Sequence, residues 1–332
     1  MRKLNWINNS NIVLSGASSG IGRELAILFC QKYNCKVFGL ARNTDKLKSL
    51  KAEIGDNFDY LATDISIQQS WQQVYDKLVE INFCPDILIN NAGVIHRFAK
   101  FRMLNDEIVN NTINTNFLSV VNSTRILLPL LDKSPKRAII NVSSASAYLA
   151  CPGVSLYAAT KSATLAFSEV LHEELSGEGY YVGAVMPGPV KTDLYKPRNK
   201  KTVDKLVKDN FITNFGISAQ KASKQIISKM RRCRKRMTIG LPAHIMSFFY
   251  RLFPSFSIAV VGKVFRAVPL ATYKEMFVDE KSKRKHSPRG KKSKKTPVII
   301  TEQPSQELST DNQVAVAPSK ITDSQTTNTP AK

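Results

Sequence analysis

Short apolar runs alternate with longer stretches of helical period along the first two thirds of the chain. Residues 11–14, 36–40, 59–62, 87–90, 138–142, 181–186 and 237–239 form runs rich in Ile, Val, Leu and Ala. Continuous apolar runs of this length read as strands buried on both faces. Between them, stretches such as 21–32, 70–81 and 155–175 repeat apolar side chains at the spacing of an amphipathic helix. Strand and helix in steady alternation predict βαβ units and an α/β fold: a doubly wound parallel seven-stranded sheet with helices on both faces. Such sheets bind ligands beyond the carboxyl ends of their strands, so the residues that follow each run are the ones to search.

The pattern changes after residue 240. Residues 241–270 are rich in Phe, Ile, Val and Leu but are interrupted by Arg251, Pro254, Lys263 and Arg266. No uncharged stretch there approaches the roughly 20 residues of a spanning helix. Two amphipathic helices broken near Pro254 are expected instead, forming a C-terminal helical appendage over 241–280. From Lys281 to the end the chain is rich in Lys, Ser, Thr, Pro and Gln, the composition of a disordered tail. The expected division is thus 1–240, 241–280 and 281–332.

Charge separates the same regions. The formal net charge is +22, which by itself suggests a polyanionic partner. Residues 1–190, however, carry 18 Lys and Arg against 16 Asp and Glu, whereas residues 191–240 carry 15 against 3. The excess gathers in Arg231, Arg232, Arg234, Lys235 and Arg236, just before the apolar appendage, and in nine basic residues without an acid over 281–295. A basic stretch beside apolar helices suits an anionic membrane surface, with the appendage lying in the headgroup plane. Nucleic acid is disfavoured, because neither stacking platforms nor a recognition motif are present. The five cysteines have no metal-ligand or disulfide spacing and read as reduced thiols. The N-terminus lacks a secretory apolar core. These features together suggest a cytoplasmic protein attached peripherally to a membrane, with no metal.

The first strand runs into Ser15-Gly16-Ala17-Ser18-Ser19-Gly20-Ile21-Gly22, followed by a helix. Glycines allow a tight turn and close approach to a pyrophosphate, and the helix N-terminus offers amide hydrogens to it. The second strand ends at Ala41-Arg42, where an acidic residue would accept a ribose 2′-hydroxyl. An arginine there pairs with a 2′-phosphate, which favours NADP(H) over NAD(H).

With these spacings in view, residues 8–240 resemble the short-chain dehydrogenase/reductase family, and the implied fold is Rossmann-type. The glycine motif resembles the family's, with Ser15 in place of a threonine. Asp64-Ile65 after the third strand is similar to the family's adenine-contacting position. Asn90-Asn91-Ala92-Gly93 matches its NNAG segment, Asn116 its active-site asparagine, and Tyr157-Ala158-Ala159-Thr160-Lys161 its YxxxK pair. Pro187-Gly188-Pro189-Val190-Lys191-Thr192 is similar to the segment that holds the nicotinamide end. Of the adjacent serines Ser143 and Ser144, the second stands 13 residues before Tyr157, the family's usual spacing.

What the resemblance implies is an oxidoreductase that reduces a ketone or aldehyde, or oxidises the corresponding alcohol, by hydride transfer. The implied cofactor contacts are Gly16, Ser18, Ser19, Gly20, Ile21, Gly22, Arg42, Asp64, Ile65, Asn91, Ala92, Gly93, Tyr157, Lys161, Pro187, Gly188, Val190 and Thr192. Tyr157 would exchange the proton. Lys161, one helical turn away, would favour the phenolate and lower its pKa. Ser144 would polarise the substrate oxygen, and Asn116 would hold a water linking Lys161 to solvent. Residues 193–215, with Lys196, Lys200, Lys201, Lys205 and Lys208, would cover the substrate. A membrane setting suggests a hydrophobic substrate, and the family suggests a homodimer or homotetramer through helices near 105–131 and 155–175. The competing reading is a catalytically silent, cofactor-binding regulatory protein. Loss of the tyrosine or lysine would favour it, and both are present.

Overall fold

All seven apolar runs become strands of one parallel sheet. The computed structural model describes residues 4–96, 98–192, 194 and 216–267, which fall within one compact unit, Met1–Lys283. Of the covering segment expected at 193–215, all but residue 194 lies outside the described residues, its five lysines included, as do 268–280 of the appendage and the tail from 281.

The elements follow as β1 (Asn11–Ser15), α1 (Gly20–Tyr33), β2 (Lys36–Ala41), α2 (Thr44–Ile54), β3 (Phe58–Ala62), α3 (Gln68–Glu80) and β4 (Ile87–Asn90). Next come α4 (Asp106–Ile113), α5 (Ser119–Leu131), β5 (Ala138–Val142), α6 (Ser155–Ser176), β6 (Tyr181–Pro187), β7 (Val190–Lys191) and β8 (Ile217–Ser218). The last are α7 (Ala219–Arg231), β9 (Arg236–Ile239), α8 (Leu241–Leu252) and α9 (Pro254–Ala267). The main sheet has the order β3-β2-β1-β4-β5-β6-β9, and every neighbouring pair is parallel.

Successive residues of a strand point to opposite faces, and here both faces are packed. On one side Ile12, Leu14, Ile87, Ile89 and Ile140 meet Leu25 and Phe29 of α1, Leu47 and Leu50 of α2, and Ile226 and Met230 of α7. On the other, Val13, Leu88 and Ile139 meet Trp71, Val74 and Leu78 of α3, Leu127 and Leu131 of α5, and Leu171 of α6. This two-sided burial is why the strands read as continuous apolar runs rather than alternating ones. β7 and β8 form a separate two-residue parallel pair, a pairing too short to leave a pattern in the sequence.

Three of the clustered cations have partners within the fold. Arg231 donates to the Leu4 carbonyl (2.8 Å) and stacks over Tyr33, Lys235 pairs with Glu173 (3.0 Å), and Arg236 pairs with Glu169. β9 thus brings the run beside the glutamates of α6, with Arg232 and Arg234 on the exposed turn.

Candidate active site

The carboxyl ends of β1 and β4 are bound together by side chains. The Ser15 hydroxyl accepts from the backbone N–H groups of Asn91 (3.0 Å) and Ala92 (3.1 Å). The Asn91 amide donates back to the carbonyls of Ser15 (3.0 Å) and Gly16 (3.3 Å). Gly22, on the first turn of α1, packs so tightly that a methyl group on it would stand 2.1 Å from the Gly16 oxygen. Ser19, the residue before α1, makes no side-chain cap bond. The first-turn amides of that helix therefore have no side-chain acceptor from Ser19. Ser18, Ser19, Gly20 and Ile21 line this half-buried turn.

At the ends of β2 and β3, Arg42 and Asp64 stand 3.5 Å apart. Partial burial raises the Asp64 pKa, but hydrogen bonds from Ser66 and the charge of Arg42 outweigh it and hold the carboxyl below its ordinary value. The Arg42 side chain is half exposed. An exposed pair of this kind is worth about 1 kcal/mol or less, so it does not lock the guanidinium away from another anion. Ile65 is buried, and its carbonyl accepts from the Trp71 indole (3.1 Å).

The ends of β4, β5 and β6 carry the remaining predicted residues. Tyr157, Lys161, Ser144 and Asn116 are all buried. Lys161 Nζ donates to the Val142 carbonyl (2.8 Å) and lies 6.0 Å from the Tyr157 ring centre. A Cβ on Gly93 would meet Lys161 Nζ at 3.2 Å and Asn116 Oδ1 at 3.3 Å, so the glycine lets the loop after β4 lie close against both. Asn116 clamps that loop: Oδ1 accepts from Val94 N (2.8 Å), and Nδ2 donates to Val94 O (2.9 Å) and Thr160 Oγ1 (3.1 Å). It sits in a single π-helical turn, Asn114–Leu118, between α4 and α5. Such an expanded turn rotates a side chain inward relative to an unbroken helix.

The two serines part company. Ser143 donates its hydroxyl to the Lys161 carbonyl (2.6 Å), tying β5 to α6. Ser144 turns toward Tyr157, and its oxygen also caps Ser146 N (3.1 Å). Beyond β6, Gly188 N donates to the Ile239 carbonyl (2.9 Å), Val190 pairs with Ile217, and a Cβ on Gly20 would meet the Thr192 methyl at 3.0 Å. The Pro187–Thr192 segment thus bridges the last strand and the glycine turn.

The electrostatics differ from the expectation. Burial pushes the Tyr157 phenol up, with the bond to Ser144 pulling the other way. Burial also lowers Lys161 from 10.5 to about 8. The expected lowering of the phenol by Lys161 is therefore not realised in this arrangement. The ammonium is directed at the Val142 carbonyl and is itself desolvated, and desolvation penalises both charged forms. A consequence can be measured. Between about 8 and 10.5 the folded chain has released the Lys161 proton while the unfolded chain keeps it, so stability rises with pH across that window. Urea unfolding should show this rise in the wild type and a flatter dependence in Lys161→Met. Identical pH dependence in both would sink the assignment.

A family model described as short chain dehydrogenase matches residues 10–203. The chain belongs to the short-chain dehydrogenase family. Among its relatives, the very-long-chain 3-oxoacyl-CoA reductase of Homo sapiens is 34% identical over 209 residues, covering 60% of this chain and 65% of the relative. The match thus spans less than two thirds of that reductase's length. The NADPH-dependent pterin aldehyde reductase of Arabidopsis thaliana is 31% identical over 185 residues, covering 55% of this chain and 76% of the relative. A solved serine dehydrogenase complexed with NADP+ has the same fold, with a TM-score of 0.63 at 24% identity over 69% of this chain and 94% of that one.

Within this short-chain dehydrogenase, the roles of three side chains escaped the sequence reading. The Ser15 hydroxyl bridges two strands, Ser143 anchors the lysine helix, and Thr160 braces Asn116. Serine and threonine carry no periodic signal, so only their neighbours reveal these roles.

Proposed function

We propose that the chain is an NADPH-dependent reductase of a hydrophobic ketone or aldehyde, or the reverse dehydrogenase, with Tyr157 as general acid and base. The observation that carries this reading is the burial of Tyr157, Ser144, Lys161 and Asn116 around one strand end, with Gly93 pressed against the lysine and asparagine. The site's residues suit the cofactor: uncapped amides at the start of α1, a half-exposed Arg42 and the bridging segment at Pro187–Thr192. The first-turn amides would hold the pyrophosphate, Arg42 a 2′-phosphate, and Lys161 the nicotinamide ribose. When bound, the nicotinamide donates or accepts the hydride.

The protein's own part is proton transfer and orientation. Ser144 donates a hydrogen bond to the substrate oxygen and holds it beside the Tyr157 hydroxyl. As the oxygen gains negative charge, Tyr157 releases its proton to it. In the present arrangement burial governs the phenol, so the Lys161 ammonium would favour the resulting phenolate once it turned from the Val142 carbonyl toward it. Asn116 holds Gly93 and Val94 in place beneath Lys161. Its Oδ1 keeps one lone pair for a water that returns the proton from solvent.

The hydrophobic substrate is supported by the long-chain acyl substrate in the human relative's name. A homodimer or homotetramer through α4, α5 and α6, on a cytoplasmic membrane face, completes the reading. Among the described residues no helix is long and apolar enough to cross a membrane. The test is oxidation of NADPH by the purified protein across a panel of hydrophobic ketones, with NADH in parallel. Turnover with NADPH supports the reading, and absence of turnover with every carbonyl despite retained NADPH binding favours the silent scaffold.

Cofactor choice has its own test. Arg42→Asp places a second carboxylate beside Asp64, where a 2′-phosphate would meet two negative charges. NADPH affinity should fall about ten- to a hundredfold, while NADH affinity changes only a few-fold. Equal losses, read by fluorescence titration, would remove Arg42 from the cofactor site.

A further inference from the structure

The two C-terminal helices are inside out. On α8 the buried positions are the small residues Ala243 and Ser247, whereas Leu241, Ile245, Phe248 and Leu252 are each at least 48% exposed. On α9, Ser257 is buried while Phe256 and Ile258 stand 65% and 57% exposed. In a helix folded against an aqueous surface the large apolar stripe faces the core. Here it faces outward on two consecutive helices, and soluble monomers rarely expose contiguous apolar surface beyond a few hundred Å². The reason lies in the attachment. Ala243 packs where a Cβ on Gly188 would come within 3.1 Å, so only a small residue fits beneath α8 and the bulky ones point away.

The charge around this face selects its occupant. Residues 210–274 contain no Asp or Glu, whereas Arg251 and Lys263 lie on the two helices themselves. A second copy of the chain would bring the same cations into the interface with no acid to meet them. A surface of anionic lipid headgroups neutralises them and accepts the apolar side chains between acyl chains. At about 1.5 Å per residue neither helix reaches the roughly 30 Å of a bilayer core, so both lie in its plane. We propose that the outward apolar face of α8 and α9 docks on an anionic phospholipid surface. The proposal extends the membrane reading above to named residues, and it does not require that the enzyme reading be correct. It has a consequence for the cleft. α8 starts directly after β9, whose Ile239 carbonyl holds Gly188 N, so docking seats the Pro187–Thr192 side of the cleft at the lipid boundary.

The experiment is co-sedimentation of the full chain with vesicles of phosphatidylcholine alone and of equal parts phosphatidylcholine and phosphatidylserine. Strong binding is expected only to the anionic vesicles. Phe248→Ser with Phe256→Ser should lower it about tenfold or more, and Arg251→Gln with Lys263→Gln should lower it and flatten its salt dependence. All four residues are exposed, and a thermal melt confirms that each variant folds. If the variants bind as well as the wild type, the affinity belongs to other basic segments and the inference is overturned. It is equally overturned if the wild type binds no vesicles, or if the phenylalanine variant changes only the mass in solution, which would assign the face to a second copy. Vesicle binding is read without turnover, so an inactive protein that still docks would count against the reductase reading alone.

Discussion

Tyr157→Phe should lower turnover by about 10²- to 10⁴-fold, the contribution of a well-placed general acid, and leave the fold and NADPH binding intact. The substitution removes one hydroxyl from a buried ring on the first turn of α6 and leaves the ring's packing as it is. The Ser144 oxygen keeps its bond from Ser146 N, so no buried polar atom loses its last partner. Lys161 keeps its bond to Val142 and its place beside Gly93. A proton-transfer role therefore predicts a loss confined to kcat, with the melting temperature and the NADPH dissociation constant close to wild type. Turnover within a few-fold of wild type would refute the role. A parallel loss of cofactor binding would recast the hydroxyl as a binding group.

Gly22→Ala should be strongly destabilising. Its added carbon would stand 2.1 Å from the Gly16 carbonyl oxygen and 2.6 Å from the Asn91 amide nitrogen. Neither neighbour can yield cheaply, because Asn91 already bonds Ser15 and Gly16 and thereby joins β1 to β4. Overpacking of this kind costs about 1–3 kcal/mol, and the broken Asn91 bonds add about 1 kcal/mol. For a domain of this size the sum corresponds to a fall in melting temperature of roughly 5–15 °C. NADPH binding should fall with it, since the same turn presents the amides of α1. Gly177→Ala is the control. It follows α6 in ordinary helical backbone, and a Cβ there meets nothing within 4 Å. Its melting temperature should equal or slightly exceed that of the wild type. Comparable damage at both positions would mean that Gly22 acts through backbone entropy and not through its contact with the glycine turn.

Much of the fold was legible beforehand because the relevant signals are local. A strand packed on both faces must be apolar throughout, and the seven runs that satisfied this condition match β1–β6 and β9 to within about one residue at each end. The break between α8 and α9 falls at Phe253-Pro254, as a proline at the start of a helix requires. The glycine turn, the tyrosine–lysine spacing and the proline–glycine segment were likewise visible, since each is a short motif that a backbone turn or one helical turn imposes.

The sequence by itself determined the order of strands and helices and the residue types at the strand ends. Only the tertiary structure decided which atoms of those residues meet. It turned Ser143 to the Lys161 carbonyl and Ser144 to Tyr157, although the two are adjacent and identical. It opened a π turn around Asn116, paired Arg236 with Glu169 across 67 positions, and set the small residues of α8 inward against Gly188. It also buried Tyr157 and Lys161, so that desolvation raises the phenol and lowers the ammonium. Periodicity records whether a position faces water or core, and that property is averaged over many neighbours. A hydrogen bond, a desolvation penalty or a methyl-sized gap depends on one particular neighbour, which folding supplies from elsewhere in the chain.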